Sequence, residues 1–376
     1  MVQPEFKPFS IFVNKADQFR VFDNDRDYID FSGSAMTTGY NFIRSEWLEP
    51  QVSRLVFDNV YTHKLTESLK SVSGYSRVAF ATSGTEACDT ALTRFGKPIF
   101  SLEGAYHGLT YLTRQVSNGT GFDEANNIIH LKCPNRNVSI DEAIEYNSRI
   151  LQSGRIILDG GTLILELIQS DGGVNILPQK FVKYLFDLAA ELGLRTVVDE
   201  VYTGYGRSGE MLLSKKYGIK PDMICIGKGM AAGLPLGAVL YNGDWELPYN
   251  QVVSMQAGNM FVSRVAVEVL NAIGETKLEF VRKEGKEILK RLSEIRNDHI
   301  GSTRGLGFMI GVELLNNGYP DGKYALKIRE RLLENGVVCS LTGEFNNVLK
   351  ITPPVLIDKQ TLDLGIESII KVLEGI

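Results

Sequence analysis

Pro221-Asp-Met-Ile-Cys-Ile-Gly-Lys-Gly-Met-Ala-Ala-Gly-Leu-Pro-Leu-Gly237 is the stretch on which the reading of the fold turns. Met223 to Ile226 is an apolar run of strand length that stops at Gly227, so Lys228 is delivered at the buried end of a strand between two glycines. A lysine in that position has three readings. Its stem can pack while the ammonium reaches water; it can serve a phosphate-binding loop; or a dry setting can favour the neutral amine, the form that makes a Schiff base with an aldehyde cofactor. The phosphate-loop reading fails, because Gly229 rather than Ser or Thr follows Lys228 and no glycine stands at the required spacing before Gly227. The remaining two are separated by what the rest of the chain brings to this strand end.

Outward from Lys228 the chain alternates apolar runs with helical stripes. Ser76 to Ala81, Pro98 to Leu102, Ile128 to Leu131, Leu163 to Leu165, Thr196 to Val198 and Gly237 to Tyr241 read as strands, with helices at Leu65 to Val72, Glu142 to Leu151 and Gln179 to Leu192. Such alternation predicts an α/β fold with a mostly parallel sheet and ligands at the carboxyl ends of its strands. Beyond residue 256 the texture changes. Helices are expected at Met260 to Ile273, Leu278 to Ile295, Lys323 to Asn335 and Gln360 to Leu373, and strands at Gly307 to Leu314, Val337 to Leu341 and Val348 to Ile351. Short strands around Phe12-Val13, Arg20 to Phe22 and Tyr28 to Phe31, with a turn at Asp23-Asn-Asp25, precede a small-residue loop from Ser32 to Tyr40. The expected organisation is a large domain over 45–255 and a smaller α+β domain built from 1–44 and 256–376.

Composition narrows the partners. The chain has 376 residues, 44% apolar and 23% charged, with a net charge of −5, which gives no footprint for nucleic acid or an anionic membrane and leaves small molecules. Cys88, Cys133, Cys225 and Cys339 are too scattered for a zinc site or a disulfide framework. The N-terminus lacks a basic-then-apolar signal pattern and no apolar run reaches spanning length, so a reducing cytoplasm is expected.

Three further features belong at the same end of such a sheet. Ser76 to Ala81 runs into Thr82-Ser-Gly-Thr-Glu-Ala87, where Gly84 and Thr85 would offer free amides at a helix N-terminus beside the hydroxyls of Ser83 and Thr85. Plain N-capping by Ser83, with Glu86 in the first turn, is the structural alternative. Asp199, in Val197-Val-Asp-Glu-Val-Tyr-Thr-Gly204, is a carboxylate ending an apolar strand and needs a cation or several donors; a protonated pyridine nitrogen would serve, and so would a structural ion pair. Tyr106, in Glu103-Gly-Ala-Tyr-His-Gly108, offers a ring for stacking, or simply packs in the core. Together with Lys228 these are the four things pyridoxal 5′-phosphate requires.

Their order also resembles one family. Ser83-Gly-Thr-Glu-Ala87, Tyr106-His-Gly108, Asp199-Glu-Val-Tyr-Thr-Gly204, Gly227-Lys-Gly229, Ala257-Gly-Asn259 and Arg304-Gly-Leu-Gly-Phe-Met-Ile-Gly311 are similar to the motifs of class III aminotransferases of pyridoxal-phosphate fold type I, over about residues 20 to 370. The resemblance implies a large domain with a seven-stranded-type sheet and an amino-group transfer from an amine or amino acid to a 2-oxo acid through a Lys228 aldimine. It implies that Asp199 holds the pyridine nitrogen, Val201 packs under the ring, Tyr106 stacks over it beside His107, and Gly84 and Thr85, with Ser83, bind phosphate. It also implies a homodimer whose sites lie at the interface, with loops 32–40 and 251–259 approaching the partner's cofactor.

The chain departs from the family pattern in four places. Tyr202 replaces a glutamine that binds the cofactor's phenolic oxygen, a role a phenol can take. Met255 falls where a threonine of the neighbouring subunit reaches the phosphate, leaving Ser254 as its substitute. Leu109 stands where acetylornithine enzymes carry an arginine, which argues against that substrate. The segments Glu166-Leu-Ile-Gln-Ser-Asp171 and Lys350-Ile-Thr-Pro-Pro354 set Asp171 opposite Lys350 where relatives pair a glutamate with an arginine, so Glu166, Asp171 and Lys350 are the expected substrate-binding residues. A racemase, epimerase or aminomutase on the same scaffold is the alternative reading. A nicotinamide dehydrogenase is excluded by the absence of Gly-x-Gly-x-x-Gly after an early strand.

Overall fold

The computed structural model of the chain describes residues 11, 13–23, 26–33, 37–48, 58–135, 137–151, 160–243 and 254–375. Phe12, the middle of the Asp23 turn, residues 34–36 of the small-residue loop and residues 251–253 lie outside them.

An eight-stranded sheet carries the site. Its spatial order is Arg77–Ala81, Gly237–Tyr241, Met223–Ile226, Arg195–Asp199, Thr162–Leu165, Ile99–Leu102, Ile128–Leu131 and Gly121–Asp123. The four central pairings are parallel, while Gly237–Tyr241 and the edge strand Gly121–Asp123 run against their neighbours. The edge strand adds an eighth member to the seven expected. The central strands are buried on both faces and are therefore mostly apolar. In Thr162–Leu165, Leu163 and Leu165 enter a core with Phe181, Val182 and Leu185 of the helix Gln179–Glu191, whereas Ile164 enters one with Ala87, Cys88 and Leu92 of the helix Gly84–Phe95.

The second part of the fold joins the two ends of the described chain. Lys15–Asp17, Arg20–Phe22 and Asp27–Asp30 form an antiparallel meander, and Asp27–Asp30 pairs in parallel with Val337–Val338. Ile300–Leu306, Met309–Asn316, Val348–Ile351 and Ser340–Thr342 form a neighbouring antiparallel sheet. The single strand expected at 337–341 is therefore divided. Val337–Val338 belongs to one sheet and Ser340–Thr342 to the other, with buried Cys339 as the crossing point. Phe31, Phe308, Ile310, Leu349 and Leu373 share the core beneath them.

Local chemistry sets several boundaries. The first helix of the large part is Val60–Ser73, five residues longer at its start than its apolar stripe, because Asn59 caps it by accepting the Thr62 amide at 2.9 Å. Asp321 and Asp358 cap Gly322–Glu334 and Lys359–Glu374 in the same way. All four cysteines are buried and free. Among the described residues no helix is long and apolar enough to cross a membrane.

Candidate active site

At the carboxyl ends of the central strands lies a cavity of about 390 Å³. Ser83, Gly84, Thr85, Tyr106, His107, Glu166, Asp171, Asp199, Val201, Tyr202, Lys228 and Lys350 all line it. Ser254 does not; its hydroxyl accepts the Gln256 amide at 3.3 Å.

Lys228 follows the strand Met223–Ile226 and opens a single 3-10 turn, Lys228–Ala231. Its φ is +45°, in the left-handed region that a side chain with a Cβ normally avoids, at a cost of order 1–3 kcal/mol. Among the described residues its ammonium makes no ion pair or hydrogen bond and stands 4.3 Å from the centroid of the Tyr202 ring.

Asp199, on the adjacent parallel strand, is fixed through both oxygens. Oδ1 accepts the Val201 amide at 2.9 Å, and Oδ2 faces His107 Nδ1 at 2.8 Å and the Cys88 thiol at 3.4 Å. Burial pushes the carboxyl up, but His107, the Val201 amide and Lys228 outweigh it and hold Asp199 below the usual carboxylate range. The Cys88 thiol is raised far above its ordinary value by its contact with Cys225, by burial and by the Asp199 charge, so it stays a donor. Among the described residues His107 Nε2 is buried without a partner. Glu200, the next residue, points away from the cavity and accepts the Leu213 and Ser214 amides at 2.5 and 2.8 Å, pinning the short helix Leu213–Tyr217 to the strand end.

The N-terminus of the helix Gly84–Phe95 also lines the cavity. Ser83 is its N-cap, accepting the Glu86 amide at 3.1 Å, so the capping reading holds. It does not exclude the anion reading, because the Gly84 and Thr85 amides have no acceptor among the described residues. Glycine is required at 84, where a Cβ would stand 2.4 Å from Val201 Cγ1, and at 108, where φ is +128° and a Cβ would meet Thr85 Oγ1 at 2.3 Å.

Glu166, after the strand Thr162–Leu165, accepts the Tyr106 amide at 2.9 Å. Burial raises its carboxyl, the Asp199 charge raises it further, and the Tyr106 amide only partly compensates. Lys350 donates to Ser170 Oγ at 3.2 Å and lies 3.5 Å from Asp171 Oδ1, so the two residues set opposite one another by sequence do meet. Tyr202 lies between cations: its ring centroid is 5.2 Å from Lys350 Nζ and 5.9 Å from the Arg207 guanidinium carbon, and its hydroxyl is 3.4 Å from Thr352 Oγ1. Burial alone would raise the phenol, yet Lys350, Arg207, Thr352 and Lys228 together bring it below its ordinary value.

Cys88, Ser170 and Arg207 were not read from the sequence. Cys88 lies four residues after Gly84 on one helix and shares its face, a signal that periodicity could have supplied. The side-chain hydrogen bonds of Ser170 with Lys350 and of Arg207 with the Phe308 and Pro353 carbonyls join residues more than 100 positions apart, and no local pattern announces them.

The cavity fits a pyridoxal phosphate on its own chemistry: its lining brings together helix amides, a carboxylate held by its neighbours and, among the described residues, a buried imidazole nitrogen without a partner and an amine without a counter-ion. The family comparison agrees. The model of the class III aminotransferases matches residues 1–373. The chain belongs to the class III aminotransferase family. Class III aminotransferases are pyridoxal-phosphate-dependent enzymes that take an amino donor and a 2-oxo acid, and this chain is one of them. Among relatives it is 32% identical to an alanine/serine racemase of Pyrococcus horikoshii, over 91% of this chain and 81% of that protein. It is 30% identical to an acetylornithine aminotransferase of Methanosarcina mazei, over 86% of this chain and 78% of that one. The solved structure of a transaminase from the marine bacterium Virgibacillus superposes with a TM-score of 0.83 at 23% identity, covering 99% of this chain and 95% of that one, and so shares the fold. Class III membership gives the cavity its cofactor, and the fold is the α/β one of that family, with a large mostly parallel sheet and additional sheets.

Proposed function

We propose that this class III enzyme moves an amino group from an amine or amino acid to a 2-oxo acid with Lys228 as the residue that holds the cofactor and carries the proton. The observation that supports it most is the single cavity in which Lys228, Asp199 and the Gly84 and Thr85 amides converge. When bound, pyridoxal phosphate supplies an electron sink for the pair left on the carbon beside the substrate nitrogen. Asp199, held below the usual carboxylate range and oriented by His107 and Cys88, would hold the ring nitrogen. Ser83, Gly84 and Thr85 would bind the phosphate, Tyr106 and Val201 would pack on the ring, and Tyr202 borders the lysine. Lys228 Nζ takes the proton from one carbon and returns it to the next. Lys350, Asp171 and Glu166 receive the substrate.

The reading includes a homodimer, with Ser254 of each subunit at the other's phosphate, a large domain over 45–255 and a cytoplasmic location. A second reading, racemisation of an amino acid, is favoured by the 32% identity to a racemase. The two part on the fate of the proton and the nitrogen. The test is to mix holoenzyme with a panel of amines and amino acids without any oxo acid and to follow the cofactor's absorbance, the optical rotation and the α-hydrogen. Conversion of the bound cofactor to its amine form supports transamination. Loss of rotation with α-hydrogen exchange, and no such conversion, overturns it in favour of racemisation.

A further inference from the structure

Among the described residues Tyr202 is the one aromatic ring that Lys228 faces, 4.3 Å from its centroid, and three observations fix that ring. The turn carrying it is tied at both sides, by the Val201 amide on Asp199 at 2.9 Å and by the Gly204 amide on the Glu200 carbonyl at 3.0 Å. Its hydroxyl sits in a niche of Thr352 and Gly33: Thr352 Oγ1 is 3.4 Å away, and a Cβ on Gly33 would stand 2.3 Å from the phenol oxygen. Thr352 is in turn held by the Phe31 carbonyl, which accepts both its amide at 2.9 Å and its hydroxyl at 3.1 Å. A ring so placed cannot swing away from the lysine without breaking contacts that reach into the smaller part of the fold.

We infer that Tyr202 is the positioning residue of Lys228, its ring face serving as the shelf on which the lysine's ammonium form rests inside the cavity. The inference rests on the reading of Lys228 as the proton-carrying amine and adds to it the place where the proton waits between carbons. Lys228 is half-buried and among the described residues has no carboxylate in contact, and a partly desolvated ammonium is stabilised by whatever partner its surroundings offer. The quadrupole of an aromatic face does this without taking the proton, which a contacting carboxylate would hold in an ion pair too strong to release it. The charged groups around the lysine and its ring are Asp199 on the neighbouring strand, Glu166, and Lys350 and Arg207, which lie 5.2 and 5.9 Å from the Tyr202 ring centroid where Lys228 lies at 4.3 Å.

The test is competitive labelling of the cofactor-free protein with a trace of acetic anhydride at one fixed pH, the adduct at each lysine being read by peptide mass. Lys350, 5.2 Å from the same ring and hydrogen-bonded to Ser170, gauges any general opening of the cavity. The expected result is that Tyr202→Leu raises the ratio of Lys228 to Lys350 labelling roughly 3- to 30-fold, the range a cation held on an aromatic face implies, whereas Tyr202→Phe leaves it within about twofold. Tyr202→Gln repeats the experiment without a ring should the leucine variant not fold. A ratio unchanged in the ring-less variant overturns the inference, and so does a phenylalanine variant that behaves like leucine, since the oxygen and not the face would then be the holder. Borohydride reduction of the holoenzyme, followed by peptide mapping, keeps the premise separate: cofactor found on another lysine refutes the role of Lys228, whatever the labelling shows.

Discussion

At the scale of single residues, the site is a problem of placing one amine and two carboxylates in a dry cavity and giving each a different charge state. Asp199 keeps its charge because His107, the Val201 amide and Lys228 outweigh its burial. An electron sink that depends on a protonated ring nitrogen needs that charge. Asp199→Ala is therefore expected to bind cofactor and lose several powers of ten in turnover, while Lys228→Ala loses turnover altogether with an unchanged circular-dichroism spectrum. An active Lys228→Ala protein would refute the assignment. Glu166 is the opposite case. Its folded-state carboxyl is raised by burial and by the charge of Asp199, so the folded protein holds its proton more tightly than the unfolded chain does. Stability from that source is full at low pH and is lost as pH rises through the raised value. Glutamine, which still accepts the Tyr106 amide, has no proton to lose. In cofactor-free protein the melting temperature of Glu166→Gln relative to wild type should thus climb from about pH 4.3, the ordinary glutamate value, and level off once pH has passed the raised folded-state value. A difference that is flat or that falls with pH would contradict the sign.

At the scale of elements, the strand Arg195–Asp199 delivers two adjacent carboxylates with unlike tasks. Asp199 enters the cavity, and Glu200 turns the other way to accept the first amides of the helix Leu213–Tyr217. Glu200→Ala leaves those buried donors unsatisfied and is expected to cost about 1–3 kcal/mol in urea denaturation, with Glu200→Gln recovering part of it. If the alanine variant is as stable as wild type, Glu200 is not the pin. The same elements show how far sequence carries. Strands buried on both faces were legible because they are short unbroken apolar runs, and Lys228 was legible because a charge ends one of them. Ile300–Leu306 was not expected as a strand, since Gly301, Ser302, Thr303, Arg304 and Gly305 leave it half-exposed with no alternation. Gly121–Asp123 is a three-residue edge strand with a single apolar residue, and Leu213–Tyr217 is too short to show a helical stripe. The division at Cys339 was hidden because Val337 to Leu341 is uniformly apolar apart from Ser340, and which sheet each half joins is decided by Phe31 and Lys350, not by its own residues. In the site, residue identities were legible and their partners were not: Asp199 was found from its own strand, its thiol donor Cys88 only from the packing.

At the scale of the whole molecule, the cavity is closed by a seam between the large sheet and the smaller part. Thr342 donates to the carbonyls of Ser170 and Asp171 at 2.9 and 3.0 Å, Arg304 Nε donates to the Gly173 carbonyl at 3.0 Å, and Lys350 crosses from the strand Val348–Ile351 to Ser170 and Asp171. The proposed homodimer would complete the enclosure. It predicts a two-fold dimer in sedimentation at micromolar concentration, and an active monomer would overturn it. Lys350 is where the seam meets substrate choice. Its ammonium is mostly buried, with side-chain exposure of 11% against 44% for Asp171, so the aspartate can move to solvent while the lysine stays in the cavity. A carboxylate arriving there would replace Asp171 as the lysine's partner. It would meet a point charge rather than the planar fork of an arginine, which grips a carboxylate through two parallel hydrogen bonds. Two consequences follow for the acceptor. Wild type should use 2-oxoglutarate no better than pyruvate, because the second carboxylate of a dicarboxylate gains little from a single ammonium already shared with Ser170. Lys350→Arg should shift the preference toward 2-oxoglutarate, and Lys350→Ala should raise the KM for every carboxylate acceptor, by about tenfold for the loss of one charge-assisted contact of order 1.5 kcal/mol. The measurement is kcat and KM for both acceptors in the three proteins. A wild type that strongly prefers 2-oxoglutarate, or a Lys350→Ala enzyme whose KM values do not move, would show that the lysine holds the seam and leaves the carboxylate to another group.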